Sequence, residues 1–194
     1  MTVEPRDAIP IFWNGVIGID PGAHGGLAVR YSDESFKNET IELHPLDPFY
    51  SKKSGWDLHG LADLFNSLYM PTCFKVYIEE AMPIYLPRND LLRRGGSAAG
   101  SFAYGGGWYA LRAMAMMCGY SVERIRPKAW LKLFGITAPD RKDREKQATV
   151  KASELWPQLD LRASKRATKP HSGLVAAMLI AEYGIRHQSL GVTV

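Results

Sequence analysis

The stretch GVIGIDPGAHGG, residues 15–26, ends an apolar run in one carboxylate and then breaks into a glycine-rich turn. The apolar run IFWNGVIGI, residues 11–19, predicts a buried first strand, and the glycines predict a tight turn after it. Asp20 therefore lies at the end of a buried strand, where a carboxylate has lost water and favours a nearby cation. The partners of Asp20 have to be found elsewhere in the chain.

Length and composition are typical of one soluble globular domain, residues 1–194. The chain is 46% hydrophobic and 23% charged, and no apolar stretch approaches the ~20 residues that span a membrane. Cys73 and Cys118 stand at no metal-ligand spacing, which favours a reducing compartment. Together with the lack of a secretory leader pattern, this predicts a cytoplasmic or nucleoid location, no secretion and no membrane contact.

The remaining hydrophobic patterns alternate between strands and helices. Further strands are predicted at residues 25–31, 39–46, 74–81 and 120–127, and helices at 57–69, 97–117, 128–134, 142–156 and 172–186. Strands first, then alternating helices and strands, predict an α/β fold with a mixed central sheet flanked by helices.

A second carboxylate ends the strand FKVYIEEA. Glu79 and Asp20 both close apolar runs that are expected to form neighbouring central strands, so their side chains face each other across the sheet end. Two carboxylates at such a short distance do not both stay ionised without a cation. Oxygen ligands favour Mg²⁺ or Mn²⁺ as that cation. Strand alternation turns Glu80 to the opposite face, in a supporting role.

Positive charge concentrates late in the chain. Residues 141–169 hold nine Lys or Arg against four Asp or Glu, an excess of five, whereas the whole chain carries +4. A segment of this kind attracts a polyanion such as nucleic acid, although a solvated helix explains the charge equally well.

Four blocks of the sequence resemble one known family. They are GIDPGAHGGLAV, VYIEEAM, SAAGSFAYGGGWYALRAMAMMCGYSVERIRPKAWLKLFG and DLRASKRATKPHSGLVAAMLIAEYG. In this order and spacing they resemble the RuvC-like Holliday junction resolvases, especially the phage and organellar relatives, over nearly the whole chain. The resemblance implies a ribonuclease H-like fold and a two-metal, Mg²⁺- or Mn²⁺-dependent nuclease acting on four-way DNA junctions.

The resemblance also implies which carboxylates carry catalysis. Asp20 matches the family's first-strand aspartate and Glu79 its fourth-strand glutamate, so both are expected as catalytic and metal-binding residues. The other two acids of the family lie one turn apart on the last helix, in a pattern like H-D-G-x-x-D/E-A-L-L-I-A. Here the matching positions are Ser172 and Ala176, so both of those acids are missing.

Nearby residues offer few replacements for the missing acids. Glu182 lies ten residues beyond Ser172, nearly three helical turns away and too far to substitute. His171 and His24 are candidate nitrogen ligands, although single histidines more often serve as hydrogen-bonding residues.

The loss of two acids leaves three hypotheses. The first is a junction-binding protein with a degenerate site and reduced or absent cleavage. The second is an active Mg²⁺-dependent resolvase that recruits Glu80 or His171, and the third is a protein-interaction module that kept only the fold. Evolutionary loss and deliberate substitution both account for the missing acids.

DNA contacts do not depend on the metals. Cations suited to phosphate contacts are Arg88, Arg93, Arg94, Lys142, Arg144, Lys146, Arg162, Lys165, Arg166 and Lys169. Phe102 aligns with an aromatic that the family uses to probe the junction centre, and Tyr104 lies close by. A core position for Phe102 fits the apolar helix equally well.

Small residues mark the helix predicted at 97–117. Ala98, Gly106 and Ala110 permit close helix packing, and in the family this helix pairs with its copy across a two-fold axis. A homodimer is therefore expected, since a four-way junction is itself roughly two-fold symmetric. The alternative is a helix packed only on its own sheet.

The glycine-rich turn also looks like the first phosphate-binding turn of sugar kinases and actin-like ATPases. Those proteins need two such domains and a second glycine-rich turn, which this chain lacks. The sequence contains no G-x-x-x-x-G-K-[ST] motif, which argues against a P-loop ATPase.

Overall fold

The computed structural model describes residues 15–31, 41–68, 71–80 and 98–190. The strands are β1 (Gly15–Asp20), β2 (Gly26–Tyr31), β3 (Ile41–Pro45), β4 (Tyr50–Ser51), β5 (Gly55–Trp56), β6 (Phe74–Glu79) and β7 (Ser121–Ile125). The helices are α1 (Leu58–Ser67), α2 (Ala98–Met117), α3 (Pro127–Leu133), α4 (Arg141–Leu155) and α5 (Ser172–Leu190). Within these described ranges, no helix is long and apolar enough to cross a membrane.

Five strands form one mixed sheet in the order β3-β2-β1-β6-β7. β2 runs antiparallel to both β1 and β3, whereas β6 runs parallel to β1 and β7. The predicted α/β class with a mixed central sheet is therefore confirmed. Because β2 is antiparallel to both of its neighbours, β1 and β3 run in the same direction. The strands β1, β3, β6 and β7 therefore all end at the same edge of the sheet.

The last residues of these strands lie in one row. Asp20 pairs with Gly26 of β2, which pairs in turn with Pro45 of β3. On the other side, Ile19 pairs with Ile78, so Glu79 lies next to Asp20 and pairs with Ile125 of β7. Adjacent strands are about 4.8 Å apart, so each segment that leaves this row emerges close to Asp20.

Helices cover the two faces of the sheet. One core, which includes Ile17, Ile19 and Ile78, packs against α1 and α2 through residues such as Leu61 and Leu111. The other core packs the opposite face against α3, α4 and α5, and its members include Val16, Tyr77, Trp130, Ala148, Ala152, Ala177 and Ala181. The result is three layers with α5 lying directly over β1.

Sequence signals account for the helix starts. Asp57 caps α1, since its Oδ1 accepts a hydrogen bond from Gly60 N at 3.0 Å. Asp140 caps α4 in the same way, through Lys142 N at 2.7 Å. Pro127 occupies the first turn of α3, where its missing N–H leaves no bond unmade.

Several predicted boundaries differ from the observed elements. The first strand begins at Gly15, and residues 11–14 lie outside the described residues, as do the predicted DNA contacts Arg88, Arg93 and Arg94. α5 extends to Leu190, beyond the predicted residue 186. The short hairpin β4–β5 has no counterpart in the predictions.

Candidate functional site

Asp20 and Glu79 lie side by side on the α5 face of the sheet. Ile19 and Ile78 pack into the core on the α1–α2 side, so the next residue of each strand points to the opposite face. Trp130, part of the α5-side core, donates a 2.8 Å hydrogen bond from Nε1 to Glu79 Oε2. The sequence-predicted pair of carboxylates is thus brought together beneath the start of α5.

Burial disfavours a charge on either carboxylate. Desolvation raises the pKa of Asp20 to about 6, although a backbone hydrogen bond from Gly22 and the positive charge of Arg141 lower it. Desolvation and the negative charge of Asp20 raise the pKa of Glu79 to about 7, against the lowering effect of the Trp130 hydrogen bond. The charge of Asp20 therefore acts on Glu79, and a cation between the two carboxylates would be favoured.

Two tryptophans fix the position of Glu79. Trp130 of α3 holds its carboxylate, and Trp108 of α2 donates from Nε1 to its backbone carbonyl at 2.9 Å. Both indoles are nearly buried, at 6% and 5% exposure, so they restrict the movement of Glu79. The sequence analysis did not single out either tryptophan, because only the polar partner at the strand end reveals this role.

The start of α5 touches the turn after β1 without an intervening side chain. Gly25 and Gly173 form an isolated parallel bridge, and a Cβ on Gly173 would lie 2.4 Å from the Gly25 carbonyl carbon. A Cβ on Gly18 would similarly lie 2.2 Å from Ala177 O. Glycines therefore let α5 pack directly on β1.

Ser172 and Ala176 lie on the side of α5 that faces β6. Tyr183 packs its ring against Tyr77 of β6, with centroids 6.4 Å apart. Ala176 precedes Tyr183 by seven residues, close to two turns, so both occupy one helix face, and Ser172 is one turn earlier. The positions that lack acids therefore lie at the helix start, on the side toward the strand that ends in Glu79.

Asp47 was missed by the sequence analysis. Its Oδ1 lies 2.6 Å from His24 Nδ1, and its Oδ2 lies 2.9 Å from His171 Nε2. His171 Nδ1 accepts a hydrogen bond from Leu174 N at 3.3 Å, so His171 caps α5. Desolvation opposes ionisation of Asp47, but the His24 hydrogen bond and the two histidine charges lower its pKa overall. Asp47 thus ties three segments together at the sheet edge.

Arg141 and Glu145 approach the carboxylate pair from α4. They form an i, i+4 ion pair of 2.7 Å. Their positions lie on the same helix face as the buried Ala148 and Ala152, nearer the start of α4. Both act electrostatically on Asp20: Arg141 lowers its pKa and Glu145 raises it. The helical spacing of Arg141 and Glu145 from the buried alanines is the sequence signal that places them on the face toward the sheet. Their charge alone would instead predict an exposed surface.

The other acidic candidates are engaged elsewhere. Glu80 lies 3.7 Å from Arg124 Nη1 and 3.9 Å from Arg126 Nε. Glu182 is 7% exposed, forms an ion pair with Arg30 and lies 2.6 Å from Arg186 Nε, a structural network three turns along α5.

The donor set suits one divalent ion better than two. Among the residues that the structure describes, no group of three or more His, Cys, Asp or Glu side chains could hold a metal ion. Asp20 and Glu79 supply two carboxylates, which is the number that often binds a hydrated Mg²⁺ with a substrate phosphate. A bridged pair of ions needs more anionic oxygens than these two residues provide.

A basic groove lies beside this site, between α3 and the start of α4. Its rim carries Lys128, Lys132 and Arg144, and Leu131 and Ile136 form part of its floor. Arg144 Nη1 donates to the carbonyl of Pro139 at 2.7 Å, which fixes that side chain. We refer to these five residues as the basic groove; Lys128 and Lys132 were not among the sequence-predicted DNA contacts.

The remaining predicted DNA-binding cations differ in their surroundings. Lys146 pairs with Asp143 at 3.0 Å and Arg162 with Asp160 at 2.7 Å, whereas the side chain of Lys142 is exposed. Lys165, Arg166 and Lys169 are exposed in the loop before His171 and form no ion pair within the described part of the chain. Phe102 and Tyr104 lie on α2.

Solved structures similar to this chain include RuvC of Thermus thermophilus in complex with a Holliday junction substrate. That structure is 17% identical, with a TM-score of 0.55, and the match covers 91% of this chain and 96% of that chain. The chain has the fold of RuvC. A second Thermus thermophilus RuvC structure is 18% identical over 89% of this chain and 96% of that one, with a TM-score of 0.50. No protein-family model and no curated protein sequence matches the chain.

Proposed function

We propose that this chain is a RuvC-like protein that binds four-way DNA junctions and cleaves them slowly or not at all. The observation that carries the proposal is the Asp20–Glu79 pair at the common strand edge of a RuvC fold, with Ser172 and Ala176 on the adjoining helix face. The fold and the basic groove support binding, whereas the two non-acidic positions argue against a complete nuclease site.

Asp20 and Glu79 are the residues that would hold a divalent ion. When bound, a Mg²⁺ or Mn²⁺ ion supplies Lewis-acid stabilisation of charge on a phosphate. Trp130 orients the Glu79 carboxylate, and the Gly22 N–H holds Asp20 Oδ1 at 3.3 Å. Arg141 lies on the same side, paired with Glu145, and its positive charge lowers the pKa of Asp20.

DNA binding is assigned to the surfaces around this edge. The basic groove uses residues of α3, the helix whose Trp130 binds Glu79, and the loop with Lys165, Arg166 and Lys169 leads to His171. Lysines and arginines of this kind bind phosphates without reading bases, so recognition rests on junction shape. Phe102 and Tyr104 on α2 are retained as aromatic contacts to the junction centre, and a DNA-associated location follows from this role.

The direct test compares DNA shapes in the absence of metal. Fluorescence anisotropy in EDTA should show the wild type binding an immobile four-way junction at least about 10²-fold more tightly than a linear duplex of the same composition. Incubation of the complex with Mg²⁺ or Mn²⁺ should leave the junction largely intact. Equal affinity for the two DNAs would contradict the proposal, and rapid cleavage would instead identify an active resolvase.

The basic groove should contribute directly to this affinity. Lys128→Gln with Lys132→Gln is expected to weaken junction binding about 10-fold and to lower the slope of log K against log salt by about 2, because two phosphate contacts are lost. Lys151→Glu is a matched control, since it changes the net charge by the same amount about 15 Å along α4 from Arg141. An equal effect of both changes would show a general charge effect instead of a groove contact.

A homodimer through α2 is also proposed. Gly106, Tyr109, Ala113, Met116 and Met117 recur at helical spacing and are all exposed, with Tyr109 at 66% and Met117 at 82%. Small Gly106 and Ala113 alternate with large side chains, and a Cβ on Gly106 would meet nothing within 4 Å. A second copy of the chain, packed across a two-fold axis, would fit large residues over small ones and match the symmetry of a junction.

Ala113→Glu should disrupt that dimer. A glutamate in the middle of the apolar stripe would be buried without a partner, so the dimer dissociation constant should rise at least about 10²-fold in sedimentation equilibrium. Val150→Glu introduces the same charge at an exposed position of α4 and should leave the oligomeric state unchanged. A wild type that sediments as a monomer at high concentration would refute the proposed interface.

A further inference from the structure

The sequence YSKKSGW, residues 50–56, forms the small hairpin β4–β5, which is separate from the five-stranded sheet. Tyr50 pairs with Trp56 and Ser51 with Gly55, which leaves Lys52, Lys53 and Ser54 as the loop. Gly55 has a φ of +77°, and its missing Cβ would meet nothing within 4 Å. Glycine is therefore needed here for the backbone conformation that closes the loop.

The base of the hairpin is fixed to the rest of the protein. Trp56 packs on Gly107 of α2 so closely that a Cβ there would lie 2.4 Å from the indole Nε1. The Tyr50 and Trp56 rings are 5.3 Å apart, and Asp57 N donates to Phe49 O at 2.8 Å. The contact between the Tyr50 and Trp56 rings and the packing of Trp56 on Gly107 therefore fix the direction in which the loop projects.

The hairpin emerges at the edge that carries the candidate site. It follows β3, whose last residue Pro45 lies in the same row as Asp20. Between them, Asp47 contacts His24 of the turn after β1 and His171 at the start of α5. The basic groove is formed by α3 and the start of α4, which follow β7 at the other end of the strand order.

Lys52 and Lys53 are available to a ligand. Residues 51–54 are all exposed, and neither lysine forms an ion pair with another residue in the described ranges. The loop backbone is ordered by Ser51, whose Oγ accepts a hydrogen bond from Lys53 N at 3.2 Å. Two adjacent ammonium groups on a fixed loop are suited to backbone phosphates and carry no base specificity.

We infer that the β4–β5 hairpin is a second phosphate-binding surface, through which Lys52 and Lys53 hold DNA beside the candidate site. The Trp56–Gly107 contact lies next to Trp108, whose indole N–H binds the backbone carbonyl of Glu79, so the base of the hairpin is tied to the strand end that carries the site. This inference rests on the proposed junction binding.

Lys52→Gln with Lys53→Gln tests the hairpin directly. Binding of the full chain to a four-way junction in EDTA is expected to weaken about 10-fold near 0.1 M salt, with a fall of about 1.8 in the slope of log K against log salt. Lys151→Glu, which changes the net charge equally, should keep the wild-type slope. The unfolding temperatures of the wild type and of the Lys52→Gln, Lys53→Gln protein should agree, because both substituted side chains are exposed.

Lysine acetylation of the wild-type complex gives a readout that needs no variant. Junction DNA should protect Lys52 and Lys53 from an amine-reactive reagent and leave Lys151 as reactive as in the free protein. If the wild type binds the junction but the variant keeps its affinity and slope, or the two lysines stay unprotected, the hairpin assignment is wrong. If the wild type fails to bind the junction at all, the proposed function is wrong.

Discussion

A chain that carries Ser172→Asp together with Ala176→Asp is expected to cut four-way DNA junctions in Mn²⁺, where the wild type leaves them largely intact. The two new carboxylates would lie one turn apart on the face of α5 that also carries Tyr183, whose ring packs on Tyr77 of β6. With Asp20 and Glu79 they would supply enough anionic oxygen for a second ion. The Mn²⁺ affinity should rise by at least about 10–100-fold, the range that hydrogen-bonding partners of metal ligands alone contribute.

The matched control for this restoration is Ser172→Asn with Ala176→Asn. Asparagine has nearly the same shape as aspartate but no charge, so the control protein should remain inactive and bind Mn²⁺ weakly. Calorimetric titration with Mn²⁺ and gel analysis of junction cleavage give independent readouts. A restored chain that folds normally but binds Mn²⁺ no better than the asparagine control would contradict the assignment of positions 172 and 176.

Asp20→Asn is expected to stabilise the protein above neutral pH in a metal chelator. Burial raises the pKa of Asp20 from 3.8 to about 6, and the pKa of Glu79 from 4.5 to about 7. Between pH 4 and 7 the folded protein therefore binds more protons than the unfolded chain, so wild-type stability falls as pH rises. A shift of about 2 pKa units corresponds to about 3 kcal/mol at Asp20.

The variant lacks that penalty because asparagine does not ionise and retains an oxygen for the Gly22 N–H. At pH 8 its free energy of unfolding should exceed that of the wild type by about 3 kcal/mol, whereas at pH 4 the two should agree. Urea titrations at both pH values in EDTA measure this difference. Asp57→Asn, at an exposed helix cap that asparagine also satisfies, should change stability little at either pH. A less stable Asp20→Asn protein at pH 8 would show that the carboxylate is structural.

The ends of β1 and β6 could be predicted because each strand is a mainly apolar run that stops at an acidic residue. Asp20 and Glu79 follow this rule, and the Asp57 cap is visible in the sequence. The packing of Ala148 and Ala152 also follows from helical spacing. These features depend on residues that are close in sequence or that share a regular period.

The features that escaped prediction depend on distant partners or on very short elements. Asp47 meets His24 and His171, which are 23 and 124 residues away in the sequence, and no local pattern links them. The two-residue strands of the β4–β5 hairpin are too short to show alternation. Trp130 looks like an ordinary core residue until its indole N–H is found on Glu79.

The contact between Gly25 and Gly173 sets the height of α5 above the sheet by backbone alone. Even one methyl group on Gly173 would approach the Gly25 carbonyl carbon to 2.4 Å, so the helix would have to lift. The spacing between the helix start and the strand ends is thereby independent of which side chains occupy positions 172 and 176. Substitutions at these two positions can therefore change the ligands offered at the helix start without changing its distance from Asp20 and Glu79.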